Sequence, residues 1–281
     1  MALENESASE YPSDLYVPTE VLRGPRSFDD VTDAHLQSYQ DTGVLVIEQA
    51  FGPRAIQDAV AGLLDLIDGK NGAFKEISFE ASVANRIGDL TSEQRQDAVR
   101  KLMGFCGFDA RLSALSAHPM LMALVGRLIG HPPEMFQDMA LLKPPRIGRE
   151  KPWHQDLAYF DVDALTTPVV GCWIALDEAT VENGCMHVVP GSHHSGPQIH
   201  VARRDWQICD RERAGQPCAV VPLKPGGLLL FSGLLQHGTP RNDSPLRRRA
   251  LQFHYRPSGT TLLAPSERMR TWGAEGKGFT C

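Results

Sequence analysis

The sequence lacks the features that mark several large classes of protein. Its 28 Lys and Arg are outnumbered by 34 Asp and Glu, which gives a net charge of -6. The basic surplus of a general nucleic-acid-binding protein is therefore missing. No stretch approaches the roughly 18 apolar residues of a membrane-spanning helix, and there is no internal repeat or low-complexity tract. We expect no nucleic-acid partner and no membrane association.

Cysteine motifs are also missing. The six cysteines form no C-x-x-C pair, which argues against a zinc ribbon or a thioredoxin-type redox motif. The opening residues MALENESASEYPSDLY are acidic and polar, without the apolar segment of a secretory signal. We therefore expect a cytoplasmic protein whose cysteines are reduced.

The distribution of patterns along the 281 residues predicts one large domain. Residues 1–28 are polar and indicate an N-terminal arm. From 29 to about 133 the pattern is mostly helical. From about 134 to 260, short apolar runs separated by Gly, Pro, Asn and Asp predict the strands of a sandwich or barrel. We predict a single domain, residues 29–281, in which a helical layer packs on a β core.

Local patterns place individual elements. A Thr or Asp cap and Gly43 bound a short helix within residues 29–43. The β-branched run 44–51 predicts a strand, and Pro53 begins a second helix whose apolar residues recur at helical spacing. Five further runs predict the strands of the second half. They are 135–145, 170–179, 185–193, 226–233 and 248–257.

The stretch WHQDLAYF at 153–160 places two metal-binding residue types, His154 and Asp156, one residue apart. In an extended segment, residues i and i+2 project to the same face, so both side chains reach one metal ion. On a helix they would diverge by about 200° and could not. The spacing therefore predicts a metal site on a strand, with Trp153 and Gln155 pointing the other way.

His237 is the best candidate for a third ligand, since it follows an apolar run and a turn in PGGLLLFSGLLQHGTP. A rolled-up β core can bring it to Asp156 despite their separation in sequence. Two histidines and one carboxylate leave three positions on the metal open. This arrangement suits non-haem Fe(II) used with O2 better than a closed structural zinc site.

An iron oxygenase that uses 2-oxoglutarate must also bind the distal carboxylate of that acid, and arginine does so best through its planar fork. The segment RNDSPLRRRALQFHY offers Arg247, Arg248 and Arg249 before a strand. Arg248 and His254 would share one face of the strand, and Arg249 would lie on the other. The pattern alone does not determine which face looks inward.

The H-x-D pair, the segment QHGTPRNDSPLRRRAL and the block CWIALDEATVENGCMHVVPGSH together resemble the phytanoyl-CoA dioxygenase (PhyH) family of Fe(II)/2-oxoglutarate oxygenases. The resemblance runs from about Leu36 to Thr260 and is closest in layout to phytanoyl-CoA dioxygenase domain proteins. It implies an α+β, mainly β fold. The core would be a double-stranded β-helix, the cupin-like jelly roll, with the helical layer at its N-terminal side.

The resemblance implies roles for individual residues. His154, Asp156 and His237 would hold Fe(II), and Arg248 with the Thr239 hydroxyl would bind the distal carboxylate of 2-oxoglutarate. Relatives more often have Ser at the position of Thr239. Asp156 favours hydroxylation, because a halogenating variant of the family has a small residue there. The other residues implied to form the cosubstrate site are Trp173, Met139, Lys101 and, as a lining residue, Gln137.

Residues that contact the substrate are predicted from position. Tyr159 and Phe160 follow the H-x-D pair and lead into a loop over the pocket, and His254 would line it. The run ARRDWQICDRERAG (202–215) is ordinarily a solvated loop; alternatively it is a lid whose arginines meet an anionic substrate. Those arginines are Arg203, Arg204 and Arg211.

Together these features predict a dioxygenase that uses Fe(II), 2-oxoglutarate and O2, with ascorbate as a supporting reductant. It would hydroxylate an unactivated C–H bond of a small organic substrate and release succinate and CO2. An acyl-CoA, a small acid and a secondary metabolite all stay open as substrates, and so does the oligomeric state. Two alternatives are a non-catalytic jelly-roll protein that binds 2-oxoglutarate and metal, and a zinc hydrolase with the same three ligands.

Overall fold

A computed structural model describes residues 11–273 and 281. Two sheets form the core of the chain. In spatial order, the seven-stranded sheet consists of β2 (Val44–Ile47), β12 (Leu228–Ser232), β7 (Val170–Ala175), β14 (Arg248–Pro257), β5 (Pro133–Lys143), β4 (Val99–Met103) and β3 (Ile77–Phe79). The five-stranded sheet consists of β1 (Val17–Val21), β11 (Pro217–Val221), β8 (Met186–Val188), β13 (His237–Thr239) and β6 (Lys151–His154). A separate hairpin joins β9 (His200–Ala202) to β10 (Trp206–Ile208).

The pairing is antiparallel throughout both sheets except between β1 and β11. The longest ladder joins β14 to β5, from Arg248 opposite Lys143 to Pro257 opposite Pro133. This architecture is the predicted jelly roll. All five strands predicted in the second half are present, with bounds shifted by a few residues.

The large sheet is buried on both faces. In β12, Leu228 and Leu230 pack into the cluster that includes the helices, whereas Leu229 and Phe231 pack into the cluster between the sheets. This alternation follows from the two-residue period of a strand. The strand therefore appears in sequence as a continuous apolar run.

Six α-helices accompany the sheets in the described residues. They are α1 (Asp33–Thr42), α2 (Pro53–Ile67), α3 (Ser92–Gln96), α4 (Ala110–Ser116), α5 (Pro119–Ile129) and α6 (Pro265–Trp272). The predicted limits of α1 and the predicted start of α2 are confirmed. Thr32 is the N-cap of α1, and Gly43 ends it with a φ of 75°, a conformation that glycine adopts without strain. Pro53 opens α2, where its missing N–H costs no hydrogen bond.

The first half is less purely helical than predicted. β1 to β4 all lie before residue 133 and belong to the two sheets. β4 pairs with β5 and carries Arg100 and Lys101 to the edge of the large sheet. Its sequence, VRKLM, is too short and too charged to be recognised as a strand, and pairing with β5 and β3 stabilises it there.

The stretch Ala110–Ile129 is long and apolar enough to cross a membrane by length and composition, so the expectation that no stretch approaches this limit was wrong. In the structure it is divided into α4 and α5, because Pro119 cannot donate the hydrogen bond that would continue the first helix. Leu112, Leu121 and Leu128 are buried in the core. α5 packs on β5, β7 and β14 of the large sheet.

The expectation that all cysteines are reduced is not met. Cys209 and Cys281 form a disulfide across 72 residues of sequence. Cys106, Cys172, Cys185 and Cys218 are free. No short-range sequence motif predicts this disulfide, because only the fold brings Cys281 to Cys209 at the end of β10.

A substitution of Gly171 in β7 tests how tightly the space between the sheets is filled. A Cβ at this position would lie 2.7 Å from Phe231 Cε1, too close without displacement of the ring. We expect Gly171→Ala to lower the free energy of unfolding by about 1–3 kcal/mol, measured by urea denaturation. Gly72→Ala is the control, because a Cβ there meets nothing within 4 Å. Equal stability of the two variants would contradict the described packing.

Candidate metal and 2-oxoglutarate site

His154 and Asp156 lie together where β6 ends. Gln155 between them is extended, with φ -119° and ψ 130°, and Asp156 begins a short 3-10 turn. The spacing therefore places both side chains on one side of the chain, as predicted, and His154 Nε2 lies 3.2 Å from Asp156 Oδ1. Trp153 and Gln155 turn away, with Trp153 donating to Leu15 O and Gln155 donating to Leu234 O.

His237 reaches the same point from β13, where it is paired directly with His154 of β6. Its Nε2 lies 3.6 Å from Asp156 Oδ1. The three residues are buried, and one ligand atom from each lies within 4.8 Å of the other two. The structure thus brings together the three predicted ligands, although they come from two strands far apart in sequence.

Backbone carbonyls orient both imidazoles. His154 Nδ1 lies 2.7 Å from Pro152 O, and His237 Nδ1 lies 2.9 Å from Leu235 O. A carbonyl oxygen can only accept, so each Nδ1 carries the proton. In the neutral imidazole the Nε2 lone pair is then free to face a metal ion.

The charges of His237 and Asp156 are matched to metal binding. Burial lowers the pKa of His237 to about 3, and the neighbouring His154 adds to the effect. Burial alone would raise the pKa of Asp156, but the imidazoles of His237 and His254 hold it well below its ordinary value. At neutral pH, therefore, a carboxylate and a neutral imidazole are available as ligands.

His254 lies behind Asp156 and not on the cavity wall, so the prediction that it faces the substrate needs correction. It is fully buried on β14, and its Nε2 lies 2.7 Å from Asp156 Oδ2. Because a carboxylate only accepts, His254 is the donor. Gln252 Nε2 donates to the same oxygen at 3.2 Å. Two donors therefore occupy Oδ2, while Oδ1 faces the two histidine ligands.

This donor set fits Fe(II). Two imidazole nitrogens and one carboxylate oxygen converge from one side, which is the facial arrangement that leaves positions for a cosubstrate and O2. The second carboxylate oxygen is already hydrogen-bonded, which favours binding through Oδ1 alone. Supporting contacts of this kind orient the ligands of a metal ion.

A cavity of about 550 Å³ adjoins the three ligands and fits 2-oxoglutarate. Arg248 and Trp173 line it from β14 and β7. Arg248 is buried, with its guanidinium 5.5 Å from the Trp173 ring centre. Among the described residues, Arg248 Nε and Trp173 Nε1 are buried without a hydrogen-bond partner. Such donors are costly unless a ligand satisfies them.

The structure resolves which arginine looks inward. Burial lowers the pKa of Arg248 to about 10, yet the side chain remains a cation at neutral pH. Arg249 lies on the opposite face, where it makes a two-point ion pair with Asp177, Nε to Oδ2 at 2.8 Å and Nη2 to Oδ1 at 2.7 Å. Arg249 is therefore an outward structural residue, and Arg248 faces the cavity.

Most of the other predicted site residues also line the cavity. On the cosubstrate side these are Thr239, Met139, Lys101 and Gln137, and on the substrate side Tyr159 and Phe160. Arg203 is not among the lining residues. It pairs with Asp210 at 3.1 Å, because the 203–205 turn faces Asp210. Arg204 pairs with Asp210 and Glu150 and is buried, so neither arginine faces a substrate.

Sequence reasoning missed six charged residues of the cavity wall, which are Arg100, Lys143, Arg149, Glu150, Lys151 and Asp205. Lys143 ends β5, Lys151 begins β6, and Asp205 lies in the turn between β9 and β10. Lys151 Nζ donates to Asp205 Oδ2 at 2.6 Å and to the Tyr159 hydroxyl at 2.9 Å. The only available sign was the position of Lys151, three residues before His154.

The chain matches the family model for phytanoyl-CoA dioxygenase (PhyH) over residues 39–250. It is 23% identical over 274 residues to phytanoyl-CoA dioxygenase domain-containing protein 1 of Danio rerio, covering 84% of this chain and 94% of that one. It is 30% identical over 210 residues to L-proline trans-4-hydroxylase of Streptomyces griseoviridis, covering 64% and 78% respectively. A solved structure, the non-heme alpha ketoglutarate dependent carbocyclase SnoK from nogalamycin biosynthesis, shares the fold with a TM-score of 0.68 at 20% identity, over 86% of this chain and 90% of that one.

Removing the donor behind Asp156 tests the arrangement of the ligands. We expect His254→Leu to weaken Co(II) or Fe(II) binding by about 10- to 100-fold, because Asp156 loses the contact that orients it. Anaerobic metal titration measures the change. His118→Leu is the control, since this imidazole stacks on Phe28 away from the ligands. Unchanged metal affinity in a folded His254→Leu protein would show that His254 does not orient Asp156.

Proposed function

Because the chain belongs to the phytanoyl-CoA dioxygenase family, and is therefore a 2-oxoglutarate-dependent non-haem iron oxygenase, we propose that it hydroxylates an unactivated C–H bond of a small organic substrate. The observation that carries this proposal is the convergence of His154, Asp156 and His237 beside a cavity that also contains Arg248. The three metal ligands and the arginine that would bind the cosubstrate thus line the same cavity.

Bound Fe(II), with 2-oxoglutarate and O2, supplies the oxidising chemistry, and the cosubstrate leaves as succinate and CO2. The residues of the chain position the cosubstrate and the substrate. The Arg248 guanidinium binds the distal carboxylate of 2-oxoglutarate as a planar fork, with the Thr239 hydroxyl as a second donor. The Trp173 indole donates its unpartnered N–H to the same molecule. Tyr159 and Phe160 provide an apolar wall that keeps water from the reacting carbon.

Hydroxylation is favoured over halogenation by the presence of the Asp156 carboxylate. Its carboxylate is present, buried and hydrogen-bonded through Oδ2, so it holds a coordination position that a halide would need. The likeness to L-proline trans-4-hydroxylase supports hydroxylation of a small molecule as well.

Neither alternative has comparable support. A zinc hydrolase needs a general base beside the metal, but the two other carboxylates of the cavity are engaged. Glu150 binds the Tyr16 hydroxyl and Arg204, and Asp205 binds Lys151. A non-catalytic binding protein would not need the complete ligand set, the oriented imidazoles and the buried arginine together.

Arg248→Gln tests the cosubstrate assignment. We expect the KM for 2-oxoglutarate to rise by about 30-fold or more, because loss of one partner of a buried charge pair costs about 2–5 kcal/mol. The measurement is succinate formation against 2-oxoglutarate concentration with Fe(II) and ascorbate.

Arg249→Gln is the matched control, because it removes the adjacent guanidinium on the outer face of the same strand. It should leave the KM for 2-oxoglutarate within about twofold of the unchanged protein, since surface contacts far from a ligand contribute little to its binding. A larger effect of Arg249→Gln than of Arg248→Gln would reject the inward assignment of Arg248.

A further inference from the structure

The cavity wall contains an ion pair to which the metal site and the cosubstrate site assign no role. Its members are Lys151, at the start of β6, and Asp205, in the turn between β9 and β10, and both line the cavity. Lys151 Nζ lies 2.6 Å from Asp205 Oδ2, and the two side chains are 33% and 25% exposed. The pair therefore borders space that a ligand can enter.

Both members of the pair retain hydrogen-bonding capacity. A lysine ammonium has three N–H groups, and within the described residues Lys151 uses two of them, toward Asp205 Oδ2 and the Tyr159 hydroxyl. Asp205 accepts from Lys151 at Oδ2 and from the Trp206 backbone N–H at Oδ1. Each carboxylate oxygen can accept a second hydrogen bond. One donor and further acceptor positions are therefore available to a ligand.

Neighbouring groups fix the pair in place. The Tyr159 hydroxyl accepts from Lys151 and donates to Trp206 O at 2.5 Å. The Asp205 backbone oxygen accepts from the Arg203 N–H at 3.0 Å, which closes the turn. A ligand thus meets charges whose positions are already set, so less ordering is needed when it binds.

Tyr159 connects the pair to the metal site. Its ring centre lies 4.6 Å from Lys151 Nζ and 5.8 Å from the ring centre of His154. A molecule whose charged end is held by the pair can therefore extend along Tyr159 to the metal. The cavity of about 550 Å³ must also hold the cosubstrate, which limits this molecule to a small size.

Stability alone gives the pair a weak purpose. Partly exposed ion pairs contribute little net stability. The turn also has a stronger anchor in the buried Arg204, which pairs with Glu150 and Asp210. A role in ligand binding explains better why Lys151 and Asp205 lie side by side in the cavity wall.

We propose that the substrate is a small zwitterion, an amine that also carries a carboxylate, whose carboxylate binds Lys151 and whose ammonium binds Asp205. This inference rests on the proposed function and adds the substrate class to it. A carboxylate at Lys151 is repelled by the adjacent Asp205, and an ammonium at Asp205 is repelled by the adjacent Lys151. A ligand that carries both charges offsets both repulsions and is favoured over a ligand with either charge alone.

The experiment compares three six-membered rings that differ in charge. Full-length protein is loaded anaerobically with Fe(II) and saturating 2-oxoglutarate, so that Arg248 is occupied. The zwitterion pipecolate, the anion cyclohexanecarboxylate and the cation piperidine are then titrated by calorimetry at constant pH and ionic strength. We expect pipecolate to bind about tenfold or more tightly than either analogue, because only pipecolate matches both charges.

Single substitutions in the pair assign each charge. Lys151→Met should weaken binding of pipecolate and cyclohexanecarboxylate by about tenfold or more and should not weaken binding of piperidine. Asp205→Asn should weaken binding of pipecolate and piperidine by a similar factor and should not weaken binding of cyclohexanecarboxylate. The two patterns are opposite because each substitution removes one attraction and one repulsion.

Lys70→Met and Asp58→Asn are the matched controls, because they alter exposed ion pairs whose residues are not among those lining the described cavity. Both should leave the three affinities within about twofold of the unchanged protein. Thermal unfolding of each variant establishes that it is folded.

The inference is wrong if pipecolate binds no more tightly than the two analogues to protein that has bound 2-oxoglutarate. It is also wrong if Lys151→Met and Asp205→Asn weaken binding of all three probes equally, because the pair would then only hold the turn in place. Failure of the proposed function gives a different result, since protein without that function would not bind 2-oxoglutarate in the loading step.

Discussion

The site depends on one buried negative charge, the carboxylate of Asp156. Its Oδ1 lies beside His154 and His237, while its Oδ2 accepts from His254 and Gln252. A buried carboxylate without partners would be too costly to keep ionised. Here the donors His254 and Gln252 stabilise the charge at Oδ2, and the same contacts leave Oδ1 on the side of His154 and His237. The contacts of Asp156 therefore determine both its orientation as a ligand and the stability of its charge.

The β core supplies that arrangement through the two-residue period of its strands. On β14, Arg248, Gln252 and His254 face inward, while Arg249 faces outward to Asp177. Along this strand, the arginine proposed to bind the cosubstrate is followed by the two side chains that donate to Asp156. A shift of one residue in the pairing of β14 with β5 would exchange these faces and remove both functions. The ten-residue ladder that sets this register thus has a direct consequence for the chemistry.

Much of this could be predicted from residue patterns. The spacing of His154 and Asp156 required an extended segment, and apolar runs marked the central strands. Arg248 could be chosen over Arg249 only through resemblance to a family, because alternation alone does not show which face is inward. β4 was missed since its pairing with β5 is a long-range effect that its charged sequence does not reveal. The contact of His254 with Asp156 depends on the three-dimensional fold, and no local sequence pattern predicts it.

The most direct test of the account is spectroscopic. Anaerobic protein is mixed with Fe(II) and 2-oxoglutarate, and the visible charge-transfer band of the complex is recorded before and after O2 is admitted. The account predicts a band that depends on both additions, that fades on exposure to O2 with formation of succinate, and that is absent from His154→Ala protein. Protein that binds Fe(II) but shows no such band and forms no succinate would contradict it.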